Sequence, residues 1–136
     1  EYQTYLNERV QRYEKHSNIA YDILKEVDGI VVNRTNGAFY MSVAFKEGLL
    51  NSKQSLPIAN EQVQETVEKM VNGQDVSPDK RFVYYLLGST GVCVVPLSSF
   101  ATSMQGFRIT LLERNEEVFT QIFHTIAKAI KEYLAS

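Results

Sequence analysis

The sequence predicts an α+β fold in two layers, a mostly antiparallel sheet of about four strands with helices packed on one face. A long linking helix precedes the sheet. Three observations carry this prediction. Leu6, Val10, Tyr13, Ser17, Ala20, Leu24 and Val27 recur at alternating steps of four and three, which makes one narrow stripe along a helix. From Gly29 the apolar period changes to two, the spacing of strands. A second strongly amphipathic segment closes the chain.

The first helix is expected to end at Asp28-Gly29, where glycine suits the left-handed residue that closes a helix. Its start is less marked. Glu1-Tyr2-Gln3 has no turn chemistry and no initiator Met, and only Thr4 offers a cap. A long helix met in mid-stride suggests a segment of a longer chain; the plain alternative is an artificial boundary.

Ile30-Val31-Val32 is a strand candidate, and Arg34 to Gly37 is a polar turn with Asn-Gly at its tip. Next, Phe39, Met41, Val43 and Phe45 alternate with Ala38, Tyr40, Ser42 and Ala44, which gives a bulky apolar face and a small or polar one. Residues Lys46 to Ser77 break the pattern and are expected to be an insertion or lid over the domain edge. Within it, Asn60 caps a short helix carrying Val63, Val67, Met70 and Val71, which Asn72-Gly73 ends.

Ser77-Pro78 starts another helix, with Phe82, Tyr85 and Leu86 inward and a stop between Gly88 and Gly91. Val92-Cys93-Val94-Val95 is an apolar run stopped by Pro96, as expected of a central strand. A Ser-rich loop, Leu97 to Gln105, leads through Gly106 to a last strand, Phe107 to Leu112. There Phe107, Ile109 and Leu111 share one face, while Arg108 and Thr110 share the other. Asn115 caps the closing helix, with Glu116 and Glu117 where the macrodipole favours acids. Its core stripe is Phe119, Ile122, Phe123, Ile126, Ile130, Tyr133 and Leu134.

Composition narrows the class of function. The 136 residues include 14 Lys+Arg against 16 Asp+Glu, a net charge of −2, with 44% hydrophobic and 22% charged residues. Those values fit one globular domain rather than a disordered tail. They provide no electrostatic footprint for nucleic acid, and no apolar run approaches the roughly 20 residues that span a bilayer. The single cysteine, Cys93, has no partner for an internal disulfide, which predicts a reducing, cytoplasmic compartment.

Most chemistry-bearing residues have a plain structural explanation. His16 and His124 lie on different helices with no ligand spacing, so no metal site is expected. Cys93 reads as a small buried hydrophobe inside a strand. Ser98-Ser99 lacks a nucleophile elbow, and no Gly-rich phosphate loop is present. The sequon Asn33-Arg34-Thr35 falls in the hairpin of a chain read as cytoplasmic and is discounted. Arg108 stands apart, mid-strand on the polar face. One reading is a solvated surface arginine. The other is an anion clamp, because a guanidinium fork fits a carboxylate bidentately and a strand holds it in place. Spacing leaves both readings open.

Gly37-Ala38-Phe39-Tyr40, then Gly91-Val92-Cys93-Val94-Val95-Pro96 with Ser98 and Phe100, then Phe107-Arg108-Ile109-Thr110-Leu111 stand in order between the framing helices. In this the chain resembles the C-terminal small domain of the pyridoxal-phosphate-dependent aminotransferases, class I/II of fold type I. The resemblance covers nearly the whole chain apart from Lys46 to Ser77. It implies that Arg108 binds the substrate α-carboxylate and that the parent moves an amino group between an amino acid and a 2-oxo acid. It also implies a preceding large domain holding pyridoxal phosphate, the Schiff-base lysine and the aspartate that pairs with the pyridinium nitrogen. The parent would be a homodimer.

The chain departs from the family pattern in two ways. Leu97 stands where the family usually has glycine, and a positive φ there would be strained. No stretch has the Ser-x-x-Lys context of the catalytic lysine, and Lys53 after Asn51-Ser52 does not match it. The expectation is therefore a domain fragment with no catalytic, cofactor-binding or metal residues of its own. The competing reading is an autonomous α+β anion-binding or regulatory module.

Overall fold

In the structure, a computed structural model that describes residues 1–73 and 75–136, helix α1 spans Tyr2–Leu24. It begins without a side-chain cap, so Thr4 lies inside the helix rather than at its start. Its C-terminal half is the buried half, through His16, Ser17, Ala20 and Leu24. The stripe continues toward the N-terminus as sequence, but Val10 is 63% exposed there. The helix closes on Lys25 in right-handed conformation, and Gly29, with φ of +91°, instead turns the chain into the first strand.

Strand β1 is Ile30–Val32, β2 is Tyr40–Phe45, β3 is Val95–Pro96 and β4 is Gly106–Thr110. They form one antiparallel sheet in the order β1-β2-β4-β3. The predicted α+β arrangement is observed, with about the predicted number of strands. Two expectations within it need correction. The apolar run around Cys93 is not a central strand: only Val95–Pro96 pairs, at the sheet edge, and Cys93 is exposed. Proline has no N–H for a ladder, so it sits where one side of the strand needs no donor. Phe39 does not share the inner face with Met41 either. Ala38 takes a φ of 61°, the alternation starts only at Tyr40, and the Phe39 ring stays exposed.

Helices α2 (Glu61–Val71), α3 (Pro78–Thr90) and α4 (Glu116–Ala135) complete the fold among the described residues. Asn60 and Asn115 cap α2 and α4 through their side chains, as expected. Ser77 precedes α3 without capping it and is turned instead onto Asp79. The segment between Lys46 and Ser77, of which Gln74 lies outside the described residues, contributes Leu56, Ile58, Val67 and Val71 to the core. Its Gln54 is buried, accepts from the Asn51 amide and donates to the Leu49 carbonyl.

The core lies between the inner sheet face and the helices. Met41, Val43, Phe45, Phe107 and Ile109 meet Phe82 and Leu86 of α3 and the stripe of α4. Phe82 is its centre, with ring centroids 5.1 Å from Phe45, 5.6 Å from Phe107 and 5.1 Å from Tyr133. Helix α1 packs along α4, where the His16 ring stacks on Phe119 at 4.2 Å and its Nδ1 donates to the Leu111 carbonyl at 3.1 Å.

Two consequences of this packing are testable. At Gly106 a Cβ would come within 2.1 Å of the Val43 carbonyl, so β4 approaches β2 here only as glycine. Gly106→Ala is expected to lose about 1–3 kcal/mol of stability as the strands shift apart, read by denaturant unfolding. Tyr133 is buried with its Oη unpartnered, and burial pushes its phenol up to about 12, with Arg81 pulling the other way. Its neutral form favours the folded state, so this contribution is intact below about pH 10 and is lost as pH rises toward its folded value. Tyr133→Phe should flatten the alkaline loss of stability over that window; an unchanged profile would contradict the assignment.

Candidate functional site

The outward sheet face is built by the same alternation that fills the core. Ser42, Arg108 and Val95 lie side by side across β2, β4 and β3, and Tyr40 pairs with Thr110 one step along. Arg108 therefore occupies the middle of the face, on a strand paired on both sides. Its guanidinium carbon lies 4.5 Å from the Tyr40 ring centroid and 4.1 Å from that of Phe100. Tyr40 is a diagonal neighbour across the β2–β4 pair, within reach of a long side chain. Phe100 comes from the short 3-10 turn Leu97–Phe100.

Arg108 is half-buried on this face. Its Nε is buried and has no hydrogen-bond partner. Among the described residues no carboxylate stands within ion-pair distance of it, whereas the ion pairs that do form are peripheral, such as Lys15 with Glu116 and Lys25 with Asp22. A partly desolvated cation with unused donors attracts an anion more strongly than one in bulk water. Two aromatic rings lie against the guanidinium, and among the described residues none accepts from its N–H groups.

The turn that carries Phe100 is held by a group the sequence reading missed. Asp79, in the first turn of α3, is fully buried. Its Oδ1 accepts from the Ser77 and Ser98 hydroxyls, each at 2.7 Å, and its Oδ2 from the Ser98 amide at 2.9 Å and the Gly106 amide at 3.3 Å. Gln105 closes the arrangement by accepting from the Asp79 amide at 3.1 Å. One carboxylate thus ties α3 to both ends of the loop between β3 and β4. An acid beside Ser-Pro at a helix start was visible in sequence, yet it signals a favourable macrodipole partner and not a buried anchor.

The other candidates are placed apart from this face. His16 is buried against Phe119, His124 lies exposed on α4, and Cys93 is exposed before β3. Ser98 faces Asp79, so it holds the turn. Leu97 is buried at the start of that turn without a left-handed φ; Ala101, at 56°, takes the left-handed position. The strain expected at Leu97 is therefore absent, and its side chain packs beside Gly106.

Pyridoxal phosphate needs a lysine for its aldehyde and an acid for its ring nitrogen. The outward positions of the sheet are Val31, Tyr40, Ser42, Ala44, Val95, Gly106, Arg108 and Thr110. That set holds one cation, no lysine and no carboxylate. The residues around Arg108 do not by themselves fit the cofactor; they fit a single anionic group. Among the described residues no helix is long and apolar enough to cross a membrane.

No family model matches the chain. Over 133 residues it is 53% identical to an uncharacterized aminotransferase of Methanocaldococcus jannaschii, covering 98% of this chain and 30% of that protein. Among solved structures, the aspartate aminotransferase of Rhizobium meliloti matches with a TM-score of 0.68 and 26% identity, over 94% of this chain and 27% of that one. The multiple substrate aminotransferase of Thermococcus profundus shares the fold, with a TM-score of 0.57 and 18% identity over 98% of this chain and 28% of that one. The chain spans about 30% of the length of the first of these relatives.

Proposed function

We propose, on the premise that this chain is homologous to aminotransferases over nearly its whole length, that it is the small domain of such an enzyme and binds the substrate α-carboxylate through Arg108. The observation that carries the reading is the unpartnered Arg108, desolvated at Nε and centred on the open sheet face. A carboxylate meeting the fork edge-on accepts two parallel N–H···O bonds, which fixes its plane as well as its position. With the carboxylate fixed, only rotation about the bond to Cα is left, and the substrate is presented in one orientation to groups outside this chain.

The remaining machinery is assigned to a large domain of the same polypeptide. That domain holds pyridoxal phosphate, which supplies the electron sink for the reaction when bound. Movement of the small domain toward it closes the site and removes water from the Arg108–carboxylate pair. The parent acts as a homodimer. On this reading the 136-residue chain alone, mixed with pyridoxal phosphate, an amino acid and a 2-oxo acid, shows no amino-group transfer. A cofactor–lysine adduct at one defined position, absent from a denatured control, would contradict that expectation.

The coding DNA upstream of the Glu1 codon gives the most economical test. An open frame continuing for several hundred codons, with a Ser-x-x-Lys segment, is the expected result. A start codon beside Glu1 would overturn the reading and leave Arg108 as the anion site of an autonomous module.

A further inference from the structure

We infer that Tyr40 and Phe100 are positioning residues that hold the Arg108 guanidinium against two aromatic rings and present its N–H edge to an anion. The inference rests on the assignment of Arg108 as the carboxylate anchor and adds how that group is oriented.

Both rings lie within stacking distance of the guanidinium, at 4.5 Å and 4.1 Å, on opposite origins: one from strand β2, the other from the turn before β4. An arginine side chain carries about 2 kcal/mol of rotamer entropy, so a free one would sample many orientations. The usual way to fix it is a carboxylate partner. That solution would use the donors and cancel the charge that an incoming anion needs. Aromatic rings attract the cation without accepting conventional hydrogen bonds from it, so the Nη groups at the end of the fork are left for an anion. The arrangement fixes orientation without consuming binding capacity.

Each ring is itself held. Phe39 packs edge-on against Tyr40 with centroids 5.2 Å apart and planes at 77°. Phe100 is fixed through its turn, because Asp79 accepts from both the amide and the hydroxyl of Ser98. The rings are nevertheless 36% and 43% exposed, which the core has no use for and which permits their replacement without unfolding the domain.

The test uses the full cofactor-loaded polypeptide and an α-amino acid substrate. Tyr40→Leu and Phe100→Leu should each raise KM by about 2- to 30-fold with little change in kcat. Tyr40→Phe and Phe100→Tyr keep a ring and should keep near-normal KM. In the same full polypeptide, the Arg108 Nε–H proton resonance should move downfield in both Leu variants as ring shielding is lost, and stay in place in the ring-retaining ones. Leu variants with unchanged KM and an unmoved resonance would overturn the inference. Arg108→Ala run in parallel separates the two levels: if it too leaves KM and kcat unchanged, the anchor assignment itself fails. If it impairs the enzyme while the Leu variants do not, only the positioning role fails.

Discussion

Arg108→Ala in the full enzyme is expected to lower kcat/KM for an α-amino acid by about 2–5 kcal/mol of transition-state stabilisation, the range for stranding one partner of a desolvated charge pair. That is roughly 30-fold to a few thousand-fold. The effect should be confined to substrates with a carboxylate; transfer from the corresponding decarboxylated amine, already slow, should change little. Arg108→Lys is expected to recover only part of the loss. A lysine is a point charge with rotatable donors, and it cannot reproduce the planar fork or its contacts with the Tyr40 and Phe100 rings. Equal losses for acid and amine substrates would mean that Arg108 acts on the fold and not on the carboxylate.

Asp79→Ala is expected to be the most damaging single change to stability among those considered, at about 3 kcal/mol or more. The Ser98 and Gly106 amides would lose their acceptor inside the protein, and a buried donor left unpaired costs about 1–3 kcal/mol. Asp79→Asn should fall between wild type and Ala. It keeps one acceptor oxygen, but its amide hydrogens face groups that already donate. Because the same side chain holds the turn bearing Phe100, the damage should reach the site. A destabilised Asp79 variant assayed below its melting range is expected to show raised KM for the amino acid. Denaturant titration with parallel kinetics checks both statements, and a stability unchanged by Asp79→Ala would refute the anchoring role.

Much of the fold was legible because burial is periodic. The alternation from Met41 to Phe45 and from Phe107 to Leu111, and the stripe of α4, each declare a single buried face, and the structure buries those faces. Where one residue breaks the period, sequence loses the register. Ala38 does so through a positive φ, which sends Phe39 outward. Pro96 does so by confining its strand to the edge, which leaves Cys93 exposed instead of buried.

The site was legible in one residue and silent in its supports. Arg108 was visible as a mid-strand charge on the polar face, but spacing left it open between a solvated arginine and an anion clamp, and only the family resemblance favoured the clamp. Tyr40 and Phe100 lie 68 and 8 positions from it in sequence, and only strand register and the turn geometry bring them together. Asp79 and Arg81 carried no signal of burial in the sequence and are buried in the structure. Their burial follows from hydrogen bonds to a loop and to the Gln54 carbonyl, contacts that no local pattern encodes.

The central claim is that Arg108 receives a substrate carboxylate. A crystal structure of the full polypeptide with a 2-oxo acid tests it most directly. The account predicts both oxygens of the α-carboxylate within about 2.7–2.9 Å of Arg108 nitrogens, coplanar with the guanidinium. A 2-oxo acid seated elsewhere, with Arg108 still facing solvent, would contradict it.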